Sequence, residues 1–172
     1  MNDIPANATP YVRETLELLG PSDPVAVLAA TPAWLAERAA PLTPAALRRP
    51  EAPGKWSFAE VLAHLADAEL VNGWRLRLML TQPRPPIHGY DQVEWQRRFD
   101  YAAVDPADAL ALFAALRRRQ LAIWRTVTAD DLLRTGLHSE RGPESVELHR
   151  RLAAGHDLRH RRQIERILAV VR

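Results

Sequence analysis

The sequence predicts an all-α fold, a four-helix bundle with a long crossover between the second and third helices. Three observations predict it. Four long stretches place apolar residues at helical spacing, no stretch has a convincing strand pattern, and a proline-rich connection separates the second stretch from the third, from Gln82 to Asp105. A bundle with one long connection is an architecture that builds metal sites from side chains on facing helices.

The composition is that of one globular domain, and it excludes several chemistries. The chain has 172 residues and no cysteine, so a metal site must use His, Asp or Glu. No apolar run reaches the length of a membrane span and the N-terminus lacks a secretion signal, which predicts a cytoplasmic protein with no membrane partner. Asp157 lies just before the basic run 159–166 and Glu165 lies within it, so we expect a solvated helix face there and no nucleic-acid partner.

The N-terminal part divides into an arm and the first helix of the bundle. We predict an arm over 1–21, containing one short helix over 11–19, and the bundle over 22–172. The first long helix covers about 24–40, with a proline just inside its start. Pro32 in its middle predicts a kink or a split into two helices, because proline removes a backbone hydrogen bond.

The second helix has the clearest start signal of the chain. Ser57 and Glu60 have the spacing of a capping box, and the apolar pattern that follows extends to about Leu80. The apolar residues cover a wide face, which indicates contact with two neighbouring elements. His64 falls on this face, so we expect its ring to point into the bundle.

The third and fourth helices complete the bundle. Asp105 is placed to cap the third helix, which extends to about Val127 and is followed by a short capped turn over 128–133. Glycines and a proline mark a loop over 136–143. Ser145 then caps the fourth helix, which reaches the C-terminus.

The histidines indicate a metal site. His156 and His160 are four residues apart on the apolar stripe of the fourth helix, and a buried imidazole needs a partner. Together with His64 they would suit one divalent ion with at least one coordination position open, as in catalytic sites. Zn²⁺ is the first choice, with Ni²⁺, Fe²⁺ or Mn²⁺ as alternatives. His149 is too far along the fourth helix from His156 to bind the same ion. His88 and His138 are predicted to lie in loops.

Four motifs resemble those of the DinB superfamily, and within it the YfiT-like and bacillithiol-transferase-like branch. They are the Pro-Gly-Lys-Trp-Ser segment at 53–57, the segment Ala-His-Leu-Ala-Asp-Ala-Glu at 63–69, Gly-Tyr-Asp at 89–91 with Trp95, and His-Asp-Leu-Arg-His at 156–160. The similarity covers about residues 22–171.

The resemblance implies a DinB/YfiT-like four-helix bundle, a three-histidine site at His64, His156 and His160, and a homodimer. Some members of this family transfer a low-molecular-weight thiol, and YfiT-like members are also described as metal-dependent hydrolases. Many relatives carry a further histidine where this chain has Arg159. Because Arg159 falls on the opposite side of the helix from the stripe, we expect the ligand set to be unaffected.

Four further residues are candidates for the site. Asp67, one turn from His64, could act as a base or orient a ligand histidine, or it could be an ordinary boundary carboxylate. Arg75 could bind a substrate carboxylate, or it could pair with an acidic residue at the end of the bundle. Tyr90 and Trp95 could line the mouth of a substrate pocket, or simply hold the crossover against the helices.

Three functions follow from these residues. The first is a metal-dependent thiol S-transferase, which presents a thiolate to a small electrophilic substrate. The second is a hydrolase that uses metal-bound hydroxide. The third is a metal-binding stress-response module without catalytic activity.

Overall fold

The computed structural model describes Ile4 and residues 8–171. It confirms the predicted all-α four-helix bundle, with a long crossover between its second and third helices. Residues 1–3, 5–7 and 172, which include part of the predicted arm, lie outside the described residues. In chain order the elements are α1 (Pro10–Leu19), α2 (Pro24–Ala39), α3 (Pro44–Leu47), α4 (Phe58–Thr81), β1 (Pro86–Ile87), α5 (Gln92–Arg98), α6 (Pro106–Trp124), α7 (Ala129–Leu133), β2 (Thr135–His138), β3 (Gly142–Ser145) and α8 (Val146–Val171).

The main apolar core lies between α2, α4, α6 and α8. Each of these helices contributes at least one fully buried side chain, namely Leu35, Leu62, Phe113 and Ile164 in chain order. Burial of one such side chain stabilises the fold by about 2 kcal/mol. None of the helices in the described part of the chain combines the length and the apolar character needed to cross a membrane.

Helices α4 and α6 are two of the helices that begin at the caps that the sequence predicts. The amide of Glu60 donates to Ser57 Oγ at 3.3 Å, and the amide of Ser57 donates to the Glu60 carboxylate at 2.8 Å. At the start of α6, the Asp105 carboxylate accepts from the amide of Ala107 at 2.7 Å. These bonds satisfy amides that the first turn of a helix leaves without partners. The starts of α4 and α6 are therefore set by local sequence.

Helix α2 continues through Pro32 as one helix, so the alternative of two separate helices is wrong. Because proline has no N–H, the carbonyl four residues earlier, that of Leu28, loses its helical partner. Arg117 on α6 donates Nη1 to this oxygen at 2.8 Å. A neighbouring helix thus replaces the hydrogen bond that the proline removes.

Arg117 is also the centre of a buried ion cluster. Its guanidinium donates to both carboxylate oxygens of Glu69 on α4, at 2.9 and 2.8 Å, and to both of Asp157 on α8, at 2.6 and 3.1 Å. The prediction that Asp157 lies on a solvated face is therefore wrong. A carboxylate can be buried here because α6 supplies the matching charge and donors. The cluster fixes α4 and α8 relative to each other.

A short three-stranded sheet lies beside α4 within the described residues, although the sequence predicted no strand. β1 pairs with β2 in parallel, and β2 pairs with β3 in antiparallel register. The strands have two to four residues and contain Pro86, Gly136 and Pro143, so they show no alternating pattern. His138 ends β2 and is buried, which corrects its predicted place in a loop.

Helix α1 packs closely on α8. The short predicted helix is confirmed, beginning one residue earlier than expected, and its Leu16 is fully buried. Gly155 permits the close approach, since a Cβ at this position would lie 2.4 Å from the carbonyl oxygen of Thr15. The division of the chain into an arm over 1–21 and a bundle over 22–172 stays a prediction.

Candidate metal centre

Three histidine side chains from two helices converge inside the bundle. His64 lies on α4, and His156 and His160 lie one turn apart on α8. Nε2 of His156 is 3.1 Å from Nε2 of His64 and 3.1 Å from Nε2 of His160. One ring nitrogen of each residue lies within 4.8 Å of the other two. The structure therefore brings the three predicted ligands together.

The three imidazoles are held in the neutral form. Burial, with a smaller contribution from the nearby His160, lowers the pKa of His64 to about 3. Burial likewise lowers the pKa of His160 to about 4, against the hydrogen bond to Gln163, which raises it. Burial and the two neighbouring imidazoles hold the pKa of His156 well below its ordinary value. A neutral imidazole is the form that binds a metal ion.

Gln163 selects the ring nitrogen that His160 offers to the cluster. Its Oε1 lies 2.9 Å from Nδ1 of His160. An amide oxygen only accepts hydrogen bonds, so Nδ1 carries the proton and Nε2 keeps its lone pair. A metal-ligating histidine usually donates its other ring N–H to an oxygen acceptor, and Gln163 supplies that acceptor here. The ring of Trp56 packs on His64, with 5.0 Å between ring centroids, and limits the orientation of that ring.

The spacing of the nitrogens fits one divalent ion. Two imidazole nitrogens bound to one zinc ion at about 2.1 Å in tetrahedral geometry are about 3.4 Å apart. The two separations of 3.1 Å in the cluster are slightly shorter than this value. No carboxylate of the described residues joins the cluster. The site could therefore hold an ion through three neutral ligands, with at least one position left for another molecule.

Asp67 lies one turn after His64 on α4 and is half-buried. It is held by Tyr101 from the crossover, whose hydroxyl donates to Asp67 Oδ2 at 2.5 Å. Burial first, and then this hydrogen bond and the negative charge of Asp67, raise the pKa of Tyr101. Tyr101 therefore stays protonated and orients the carboxylate. Whether Asp67 acts as a base stays a prediction.

A cavity of about 280 Å³ adjoins the cluster, and His156 forms part of its wall. Arg75 and Tyr90, both predicted to line a pocket, also line this cavity. Trp95 does not contribute to the wall, and instead packs on Tyr90 with 4.6 Å between ring centroids. The predicted set of pocket residues is thus brought together in part.

His149 lies outside the cluster, as its position along the helix predicts. Its Nδ1 is 3.0 Å from Glu144 Oε1, and its Nε2 is 3.2 Å from the carbonyl oxygen of Asn72. Burial alone would raise the pKa of Glu144, but the hydrogen bond with His149 and the charge of Arg141 hold it at about 2. His149 therefore has partners on both nitrogens and needs no ion.

Comparison with known proteins identifies the family of this chain. Residues 28–164 match the family model of the DinB superfamily, which is most of the chain. The chain belongs to the DinB superfamily.

Curated relatives within the DinB superfamily carry a common description. The protein named "Putative metal-dependent hydrolase YfiT" from Bacillus subtilis is 33% identical over 116 residues, which is 67% of this chain and 65% of that protein. "Putative metal-dependent hydrolase OB0782" from Oceanobacillus iheyensis is 33% identical over 108 residues, 62% of each chain. The chain thus spans a little under two thirds of the length of these two relatives.

A solved structure shows the same architecture over a longer part of the chain. It is described as "YfiT from Bacillus subtilis is a probable metal-dependent hydrolase with an unusual four-helix bundle topology". The TM-score is 0.78 with 26% sequence identity, and the match covers 97% of this chain and 90% of that chain.

The side chain of Arg159 points away from the cluster. Arg159 donates to Glu14 on α1 at 3.1 Å, and its guanidinium lies 5.5 Å from the ring centroid of Tyr11. It contributes no atom to the group of three histidines. Arg159 is therefore part of the contact between α1 and α8.

Sequence reasoning missed several residues that support the cluster. Gln163, three residues after His160, could have been found from its helical spacing. Tyr101 could not, because it lies in the crossover, far along the chain from Asp67. Arg117 has no local signal either, since its partners are on two other helices.

Proposed function

We propose that this protein is a divalent-metal-dependent enzyme that transfers a low-molecular-weight thiol to an electrophilic substrate. The observation that carries the proposal is the convergence of three neutral histidine nitrogens beside a cavity. Zn²⁺ is the ion we propose, with Ni²⁺, Fe²⁺ or Mn²⁺ as alternatives. When bound, such an ion lowers the pKa of a thiol or a water molecule, so that a nucleophile exists near neutral pH.

The ligand set is compatible with a thiol as the nucleophile. His64, His156 and His160 are all neutral, so an ion held by them would keep its full positive charge. Imidazole ligands are intermediate in softness, and such an ion accepts a thiolate readily. In the transfer the thiol loses its proton, its sulfur bonds the electrophilic carbon, and the leaving group departs with its bonding electrons.

The surrounding residues would orient the reacting groups. Gln163 holds His160 with Nε2 towards the cluster. The buried Arg117 cluster keeps α4 and α8 at a fixed distance, and so positions the histidines that they carry. Asp67, oriented by Tyr101, is our candidate for the group that accepts the thiol proton.

Hydrolysis is the second candidate function, and the printed names of the relatives support it. The same three histidines would serve, with water as the nucleophile instead of a thiol. A homodimer is the assembly we propose, because Leu70 and Trp74 are exposed one turn apart on α4. A cytoplasmic location stays a prediction.

Activity assays on the metal-loaded protein separate the functions. The protein is incubated with candidate thiols and chlorodinitrobenzene, and separately with ester and amide substrates in the absence of thiol. We expect thiol conjugation that His160→Ala abolishes and that His88→Ala, which changes an exposed histidine, leaves intact. Ester or amide cleavage without conjugation would support the hydrolase instead. Neither reaction in a protein that retains its ion would support the non-enzymatic module.

A further inference from the structure

Arg75 is a buried cation that forms no salt bridge within the described residues. Its side chain lies in the wall of the cavity and is only 8% exposed. Nη2 donates to the backbone carbonyl of His88, and the guanidinium lies 5.9 Å from the ring centroid of Tyr90. Nε is buried without a hydrogen-bond partner. No carboxylate of the described residues lies within ion-pair distance of it. A buried charge is costly unless it is paired, so this cation indicates an anionic ligand.

His138 supplies a second unused donor in the same wall. The residue is 3% exposed, and its Nδ1 accepts the amide of Glu140 at 3.1 Å. Burial, with the positive charge of Arg141, lowers the pKa of His138 to about 4, so the ring is neutral. Its single proton is therefore on Nε2, which is buried and has no partner. Two side chains of one cavity thus each have a donor that the protein leaves unsatisfied.

The cavity extends from the histidine cluster towards Arg75. His156 lies in its wall, and so does His149, which is seven residues or about 10 Å of helix rise before it. A volume of about 280 Å³ is near the lower limit for small-molecule sites. Glu140 and Arg141 also line the cavity. Arg141 is already paired with Glu144 at 2.6 Å, whereas the negative charge of Glu140 disfavours a dianion such as phosphate. A monoanionic carboxylate is the group that fits best.

We propose that this cavity binds the carboxylate of the substrate, with Arg75 as its ion-pair partner and His138 as a second hydrogen-bond donor. This inference rests on the proposed function only for the reacting end of the substrate, and the carboxylate site itself does not depend on it. The substrate class is an extended small molecule that carries its carboxylate at the end away from its reacting atom. Arg75 would then determine which thiols or electrophiles are accepted, without contacting the reacting atoms.

Binding measurements with matched probes test the proposal. The probes are ω-mercaptooctanoate, its neutral amide and the corresponding alkyl phosphate, titrated calorimetrically into metal-free and metal-loaded protein. We expect the carboxylate to bind the wild type about tenfold more tightly than the amide, in both forms of the protein, because one charge-assisted contact distinguishes them. Arg75→Gln should remove this preference and Arg75→Lys should keep part of it. Arg77→Gln, on the same helix but outside the cavity wall, should leave it unchanged.

Failure of this inference differs from failure of the proposed function. Equal binding of carboxylate and amide by the wild type would overturn the carboxylate site, whatever the catalytic activity. Tenfold tighter binding of the phosphate than of the carboxylate would show that the anion class is wrong. A carboxylate preference in the metal-free protein, together with no thiol conjugation when metal is present, would support the site and contradict the transferase.

Discussion

Two buried polar clusters join α4 to α8, and they differ in whether their groups have partners. Around Arg117, the guanidinium donates to both oxygens of Glu69 and of Asp157 and to one backbone carbonyl. Around the histidines, neutral nitrogens face each other at 3.1 Å, and Nδ1 of His64 is buried without a partner. Each of these polar groups of the first cluster has a partner within the protein. The second cluster has groups without a partner, which a bound ion or ligand would supply.

This difference separates a structural site from a functional one. Native proteins satisfy almost all buried polar groups, so those left incomplete mark places where a ligand is expected. Burial alone does not make the distinction, since both clusters are buried. Nε of Arg75 and Nε2 of His138 are also buried polar groups without a partner, as in the histidine cluster.

The largest effect is expected from breaking the complete cluster. Arg117→Leu would leave two buried carboxylates without their cation and should lower the free energy of unfolding by about 3–5 kcal/mol. Urea denaturation monitored by circular dichroism measures this. Arg118→Leu, at the exposed neighbouring position, is the matched control. A loss below about 1 kcal/mol for Arg117→Leu would contradict the structural role of the cluster.

A second closed network should respond to acid. The pKa of Glu144 is about 2 in the folded protein against an ordinary value of 4.5, so its contribution to stability is present above about pH 4.5 and lost as the pH falls towards 2. The difference of 2.5 units corresponds to about 3 kcal/mol. The stability difference between wild type and Glu144→Gln should therefore shrink by roughly this amount between about pH 6 and pH 2. A pH-independent difference would disagree with the pairing of Glu144 to His149 and Arg141.

Substitution of Gln163, the hydrogen-bond partner of the proposed ligand His160, should affect metal affinity more than it affects folding stability. Gln163→Leu removes the oxygen that orients His160, and should weaken metal binding about tenfold to a hundredfold. Stability of the metal-free protein should change by about 1 kcal/mol or less, since one hydrogen bond is lost. Competition with a chromogenic chelator gives the affinity. Unchanged affinity would mean that Gln163 has no part in the site.

An equally small effect on stability is expected for a ligand position inside the incomplete cluster. His64→Leu replaces a buried ring that has an unpartnered nitrogen by an apolar side chain, so metal-free stability should change by about 1 kcal/mol or less. Added metal should raise the melting temperature of the wild type and not of the variant. If His64→Leu lowered the free energy of unfolding as much as Arg117→Leu does, both clusters would be structural and the distinction between them would be wrong.

The parts of the fold that local sequence determines could be predicted. The capping box at Ser57 and Glu60, the Asp105 cap and the helical spacing were sufficient for the bundle and its crossover. The inward positions of His64, His156 and His160 followed from the same periodicity. The metal-binding role of these three residues stays a prediction until an ion is measured.

The parts that depend on distant partners could not be predicted. Asp157 looked solvated because its partner, Arg117, is 40 residues away in sequence on another helix. The short strands show no alternation, and the glycines and the proline over 136–143 favour a loop at His138, which in the structure ends β2. Tyr101 was missed because a residue in an irregular crossover has no periodicity that would show which way it points.

The central claim is that His64, His156 and His160 bind one divalent ion, and elemental analysis of the purified protein tests it most directly. Wild type and His88→Ala should each contain about one equivalent of metal per chain, and His160→Ala should contain about a tenth of this or less. Equal metal content in wild type and His160→Ala would contradict the claim.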